Sequence, residues 1–379
     1  MERTSIKVLA ASKGDAVSRN LALLTSHQEH RVQAIRMLEA MAETTEGRSS
    51  IIASGGAKML VALLVRPSDQ VMPYEKIKVA NTFAKLAASP PCRAVIINAA
   101  AIPQFVRLLA GLPEAQSAAV AALLALSPQK GSRQLMVEAG VLDAIARSFM
   151  QPDNVEEKTR FCQLLVSMLD GESLQERMPR VLAVAASTDT LSGLVFLLSP
   201  EGILQAASAV ILMCCTQELR ETLIKAGALA ALRKLIAHAD GKVVEQALEA
   251  VAALITLDRD DESDVARGTL DLEDVLCGDM SAVVRLLQGP TEEIRGAASH
   301  VVFRLAARDE LEAHVRAAEP LPLLVALVRD GKAKTRAWAI SALRLLSTTS
   351  EARETVTQAV PMEDEERETL LAKIRTLCF

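Results

Sequence analysis

Five histidines, His27, His30, His238, His300 and His314, are the side chains here best suited to proton transfer or metal binding. His27 and His30 stand three apart, a spacing at which two imidazoles on one helix can share a metal. No cysteine or carboxylate cluster completes a ligand set around them, so they read as a helix end at the surface, with no metal. The six cysteines are Cys92, Cys162, Cys214, Cys215, Cys277 and Cys378, with no regular spacing and no Cys-x-x-Cys pair. Most lie inside apolar runs and read as reduced, buried, small hydrophobes, not as a disulfide framework or a zinc site. Ser54-Gly55-Gly56-Ala57-Lys58 carries the glycines and lysine of a phosphate loop but lacks its G-x-x-x-x-G-K-[ST] frame. No G-x-S-x-G, H-E-x-x-H or pair of catalytic carboxylates stands in a suitable context. The expectation is a non-catalytic protein with no cofactor.

The elements that position these residues are helices. The chain has 379 residues, of which half are hydrophobic, with only one Trp, one Tyr and seven Phe. Its 17 glycines and 14 prolines are about two thirds of ordinary usage. Few aromatics and few turn residues disfavour a strand-rich fold, and the apolar content is too high for disorder. A net charge of −5 lacks the basic excess of a general nucleic-acid binder. No apolar run reaches the roughly 18 residues of a membrane span. The first residues are too short of apolar character for a secretory signal, and no Asn-x-Ser/Thr acceptor occurs. The expected compartment is the cytoplasm, with cytoskeletal or nuclear placement also open, and not the secretory route.

The chain also repeats itself. An Arg, an apolar residue three later, an Ala-Gly-like pair and then a Leu-rich helix recur. Arg48, Ile51, Gly55, Leu60 and Leu63 form one copy, and Arg93, Ile96, Ala100, Ile102 and Phe105 the next. Arg133, Met136, Gly140 and Leu142 follow, and Arg220, Leu223, Gly227, Leu229 and Leu232 form the cleanest. Weaker copies end at Leu194–Leu198, Val283–Leu287 and Leu324–Val328. With Gly55 as the anchor, its equivalents are Ala100, Gly140, Asp189, Gly227, Gly278 and Glu319. The steps between them run from 38 to 51 residues and average 44. Each unit reads as a short helix, a bend at the anchor, and two longer helices with one apolar face each. One unit cannot bury that face alone, so units must stack.

This pattern resembles the armadillo repeat family over residues 31–347. HEAT repeats are the near neighbour, and the Ala-Gly bend with its preceding Arg favours armadillo. The resemblance implies an all-α, right-handed α-solenoid, an armadillo-like superhelix. Residues 1–30 are expected as N-terminal capping helices, 31–347 as the array and 348–379 as a C-terminal capping helix opened by Pro361 and the acidic run 363–366. Pro67–Tyr74, Asp170–Arg180 and the acidic stretch 258–264 read as insertions.

In armadillo proteins the third helix of each unit lines a concave groove, which implies protein binding. Nuclear-import receptors of the family place a Trp and, four residues later, an Asn there. The equivalent pairs here include Asn81 and Lys85, Ala121 and Ala125, Gln163 and Ser167, Ala209 and Met213, Ala252 and Thr256, His300 and Arg304, and Ser341 and Leu345. The Trp–Asn ladder is absent, which disfavours an import role, and Trp338 falls three residues before its ladder position and reads as core or repeat packing. The groove residues expected to bind are Asn81, Lys85, Gln163, His300 and Arg304, around a small apolar middle of alanines. The expected partner is another protein, presenting a helical or extended segment with an apolar stripe and acidic flanks. The function implied is a scaffold or adaptor. Residues 48–87, with Gly55-Gly56-Ala57-Lys58 and Ala84-Lys85-Leu86-Ala87, also resemble the opening of a UCS domain, the armadillo domain of myosin-directed chaperones. That resemblance implies a chaperone or co-chaperone as the alternative.

Overall fold

A computed structural model describes residues 16–150, 155–171, 173–198, 204–256 and 280–347. Helix follows helix with no strand among the described residues, and the fold is an all-α solenoid of stacked helical units. The chain divides into two compact units, Met1–Thr190 and Leu191–Phe379. The last helix of each repeat is numbered α1 to α8. Unit 1 holds α1 (Gln28–Met41), α2 (Pro73–Ala87), α3 (Pro113–Leu126) and α4 (Val155–Leu169). Unit 2 holds α5 (Leu204–Met213), α6 (Gly241–Leu254), α7 (Glu292–Ala306) and α8 (Ala333–Leu346). In unit 1, α1 packs on α2, α2 on α3 and α3 on α4. In unit 2, α5 packs on α6, α6 on α7 and α7 on α8. A helix over 16–23 precedes α1. Residues 1–15, the acidic stretch 258–264, Cys277, Gly278 and the segment 348–379 lie outside the described residues.

Local chemistry explains where the helices start and turn. Thr44, Ser173, Thr216 and Thr291 each accept a backbone N–H from the first turn that follows. Pro73, Pro90 and Pro113 sit in first turns, where a missing N–H costs nothing. The bends fall at the anchors. Gly55, Gly140 and Gly227 have φ of 76°, 86° and 90°, in the left-handed region. Ala100 and Glu319 adopt the same conformation, with φ of 59° and 53°. The repeat position therefore imposes the turn even where the residue is not glycine. The fourth anchor needs correction. Asp189 lies inside the helix Thr188–Leu197, and the chain breaks instead at Ser187, whose backbone is extended.

The recurring arginine has a structural task. Arg48 Nη1 donates to the Ala42 carbonyl at 3.0 Å, Arg93 Nε to Ala87 at 2.7 Å and Arg220 Nη1 to Cys214 at 3.4 Å. Each guanidinium thus reaches back to a carbonyl left unpaired at the end of the preceding repeat's last helix, where a positive charge also suits the helix dipole. The apolar faces of α2 and α3 bury Val79, Phe83, Leu86, Ala119, Leu123 and Leu126 completely or nearly so. Phe83 meets Phe105 edge to face at 5.4 Å. Each large side chain so buried contributes about 1.5–3 kcal/mol.

One charged pair is buried in unit 1. Glu75, in the first turn of α2, takes Arg31 of α1 through two bonds, Nε to Oε1 at 2.6 Å and Nη2 to Oε2 at 3.1 Å. The same guanidinium donates to the Gln70 carbonyl at 2.9 Å, and Glu75 Oε2 accepts the Met72 N–H at 2.8 Å. The Glu75 side chain is fully buried. The charge-assisted bond from Glu75 and its negative charge together raise the Arg31 pKa.

Candidate functional site

The faces of α1 to α4 that carry polar residues meet rung by rung in unit 1. Residues 77, 78, 81 and 85 share one stripe of α2 by helical spacing. Glu39 of α1 pairs with Lys78 and Lys85 of α2, both at 3.3 Å. Lys85 also meets Glu43 at 2.7 Å. The bond to Glu43, followed by that to Glu39, raises the Lys85 pKa and holds its charge. Lys85, expected as an open positive anchor, is thus matched by two carboxylates.

Asn81 lines a cleft of about 370 Å³ built from three consecutive closing helices. Ile77 and Asn81 come from α2, Glu114, Ser117 and Val120 from α3, and Glu156, Glu157, Arg160 and Phe161 from α4. Arg160 Nη1 donates to the Ser117 hydroxyl, and its Nη2 donates to Glu156 Oε1 at 2.6 Å. Three glutamates stand against one arginine, so the cleft is acidic. Gln163 lies on α4 and is exposed, but it is not among the residues lining the cleft.

In unit 2 the same kind of ladder runs from α5 to α8. Ser208 meets Gln246 at 3.2 Å. Glu249 of α6 meets His300 Nδ1 of α7 at 3.3 Å and Lys334 Nζ of α8 at 3.0 Å. Arg304 Nε donates to His300 Nε2 at 3.2 Å. With Nε2 accepting, the imidazole proton belongs on Nδ1, facing Glu249. Trp338 of α8 stacks on His300, with centroids 4.0 Å apart and planes 14° from parallel. Phe303 lies 5.5 Å away on the same indole, and the Arg304 guanidinium stands 5.9 Å from its centroid. The bond from His300, and then that from Lys334, pull the Glu249 carboxyl down to about 2 despite its burial.

The expected residues are therefore distributed between the units. Asn81 and Lys85 share a stripe of α2, and Gln163 is elsewhere in unit 1. His300 and Arg304 are in contact in unit 2. The apolar middle needs correction. Ala121 is exposed, but Ala209 and Ala252 are fully buried. On α6 the ladder residue is Glu249, three before Ala252, and on α8 it is Trp338, three before Ser341. Both slips have one cause: a shift of three residues moves a helical stripe by only about a sixth of a turn, and leucine spacing alone does not detect it. Trp338 is half-buried and not core, and its stacking on His300 of the preceding repeat is the repeat packing expected of it. Glu39, Glu249, Lys334 and Arg160 were not singled out from sequence. The available signal was nearness on their own helices to mapped positions: Arg160 three residues before Gln163, Glu249 three before Ala252 and Lys334 four before Trp338.

Among the described residues, no helix is long and apolar enough to cross a membrane, and no group of three or more His, Cys, Asp or Glu is placed to hold a metal. No protein-family model and no curated protein matches the chain. Solved structures do. An engineered protein is similar over 95% of this chain and 99% of its own, at 20% identity and a TM-score of 0.62. Computationally designed armadillo repeat proteins for modular peptide recognition are similar over 62% of this chain and 99% of theirs, at 26% identity and a TM-score of 0.55. A designed armadillo repeat protein in complex with the peptide (KR)4 is similar over 63% of this chain and 99% of its own, at 26% identity and a TM-score of 0.53. The fold is that of armadillo repeats.

Proposed function

We propose that the protein is a non-catalytic scaffold or adaptor that holds a segment of a partner protein along the polar face of its closing helices. The observation that carries this reading is the Asn81 cleft, to which three successive helices contribute. An extended chain laid across α2, α3 and α4 places one side chain in it, while Asn81 offers both a donor and an acceptor to the segment's backbone. Glu114 and Glu157, beside the Arg160-paired Glu156, favour a Lys or Arg side chain there. This revises the acidic flanks expected of the partner, because Lys85 is occupied by Glu39 and Glu43. The designed neighbour's complex with (KR)4 supports the charge preference.

The test is fluorescence anisotropy with a labelled Lys/Arg octapeptide and a Glu/Ser octapeptide. The basic peptide is expected to bind, and Glu156→Lys/Glu157→Lys to weaken it at least tenfold, with Lys85→Gln close to wild type. Equal binding of both peptides, or no effect of the charge reversal, removes the reading. The UCS-like chaperone alternative rests on the likeness of residues 48–87 alone. It would require the protein to suppress aggregation of a myosin motor domain at stoichiometric ratio.

A further inference from the structure

Two closing helices of unit 1 begin with residues that a helix start does not favour. Met72 stands at the N-cap of α2 and Leu112 at that of α3, both in extended conformation and each followed by a proline. Neither side chain carries an oxygen to accept a first-turn N–H. At the same position α6 and α7 carry Asp240 and Thr291, which do accept one. Met72 and Leu112 forgo that stabilisation and remain 43% and 58% exposed. Tyr74, in the first turn of α2, is 45% exposed.

The inserted segment 67–74, which carries Met72 and Tyr74, is fixed along its length. Lys76 Nζ donates to the Arg66 carbonyl at 2.6 Å, and Arg31 Nη2 to the Gln70 carbonyl at 2.9 Å. Glu75 Oε2 accepts the Met72 N–H at 2.8 Å, and Gln28 Nε2 donates to the Tyr74 hydroxyl at 3.1 Å. Val71, in the middle, is fully buried. A buried ion pair adds little net stability over an apolar pair of the same volume. The Arg31–Glu75 pair, with one backbone bond from each member, sets where the apolar side chains stand. Side chains held in place lose little freedom when a partner covers them.

These side chains border the Asn81 cleft. Tyr74 lies one turn before Ile77 and two before Asn81 on the same stripe of α2, and Leu112 is joined to Pro113 and Glu114. Ile77, Asn81, Pro113 and Glu114 all line the cleft. An acidic cleft thus has an apolar rim on the side of the helix starts. We propose that the partner segment carries a large apolar residue two positions from its Lys or Arg, seated on Met72, Tyr74 and Leu112. The spacing fits an extended chain: alternate side chains leave one face about 6.6 Å apart, and Tyr74 stands about 4.5 Å along α2 from Ile77. The proposal rests on the peptide-binding reading and names a second determinant of the same segment.

Fluorescence anisotropy with the full chain tests it. Labelled octapeptides in a Ser/Gly background carry a central Lys-Arg pair, with Leu two residues before the pair, two residues after it, or absent. The Lys/Arg octapeptide runs beside them and reports on the peptide-binding reading alone. One of the two Leu peptides should bind at least tenfold more tightly than the Leu-free peptide, a difference of about 1.4 kcal/mol. Leu112→Ser should remove that gain and leave the Leu-free peptide unchanged, and Met72→Ser should act in the same direction. Because serine can cap α3, Leu112→Ser should melt at or above the temperature of wild type, which separates a lost contact from a lost fold. If it melts lower, Met72→Ser decides. Binding of the Lys/Arg octapeptide with no gain from Leu, or a gain that survives both serine variants, overturns this proposal and leaves the peptide-binding reading standing. No binding of any basic peptide removes that reading as well.

Discussion

Replacing Glu75 by Gln preserves the shape of the side chain and removes its charge, which isolates the contribution of the buried ion pair. In the native protein the carboxylate accepts Arg31 Nε at 2.6 Å, Arg31 Nη2 at 3.1 Å and the Met72 N–H at 2.8 Å. A hydrogen bond to a charged group contributes about 1.5–3 kcal/mol net. The glutamine oxygen can keep one of these contacts, but its amide then points a donor at a buried guanidinium. Arg31 retains only the Gln70 carbonyl at 2.9 Å and a longer contact with the Ser26 carbonyl at 3.5 Å. Removing one partner of a buried pair costs about 3–5 kcal/mol. Glu75→Gln should therefore destabilise the protein by about 3 kcal/mol, and Glu75→Ala by somewhat more, since it also removes the bond that opens α2. The companion variant Arg31→Met/Glu75→Leu, which removes both charges and fills the space, should lie within about 1 kcal/mol of wild type. Urea unfolding followed by circular dichroism measures all four proteins. Limited proteolysis locates the damage, which should begin between α1 and α2. Trp338 lies in unit 2, so its fluorescence should change later in denaturant than the early loss of helicity. A Glu75→Gln protein within about 1 kcal/mol of wild type, or a double variant as unstable as the single one, would refute the reasoning.

Three further outcomes follow from the geometry. Ala100→Gly and Glu319→Gly should each stabilise by about 0.5–1 kcal/mol by relieving a left-handed backbone, whereas Gly227→Ala should cost about 1 kcal/mol through its left-handed φ alone, since its added methyl meets nothing closer than Val195 at 3.9 Å; thermal melts decide between these signs. Glu249 has a folded pKa of about 2, below its ordinary value of 4.5. Its contribution to stability is therefore present above about pH 4.5 and is lost as pH falls toward 2. The Tm gap between wild type and Glu249→Gln should close over that range, and a gap independent of pH would contradict the pairing with His300 and Lys334. His300→Ala strips one face of the only tryptophan. Its emission should shift to the red, while Gln163→Ala in unit 1 leaves the spectrum unchanged.

The Asn81 cleft is lined by three glutamates and one arginine, although the whole chain is only mildly acidic. Which cations are matched is a matter of individual pairs: Lys85 has Glu39 and Glu43, Arg31 has Glu75, and Arg180 has carbonyls alone among its hydrogen bonds.

Fold class, repeat period and bends were legible in the amino-acid sequence, because each rests on local rules. Leucine spacing marks helices, proline and threonine mark their starts, and a left-handed bend favours glycine. Even Ala100 and Glu319 were located by period alone, where residue type gave no hint. The Asp189 anchor failed because the helix Leu174–Ala186 and the inserted segment before it move the break to Ser187. What tertiary structure alone decided is rotation and pairing. Ala209 and Ala252 face the core, and Trp338 faces the ladder, because packing sets each helix's rotation to within a residue while the apolar pattern tolerates a slip of three. Arg31 and Glu75 are 44 residues apart, Glu249 and His300 51 apart, and Arg133 and Asp170 37 apart. No local rule joins such residues. Their partnership exists only once the helices stack, and it is this stacking that gives Arg31 a carboxylate and Arg180 the carbonyls that end α4.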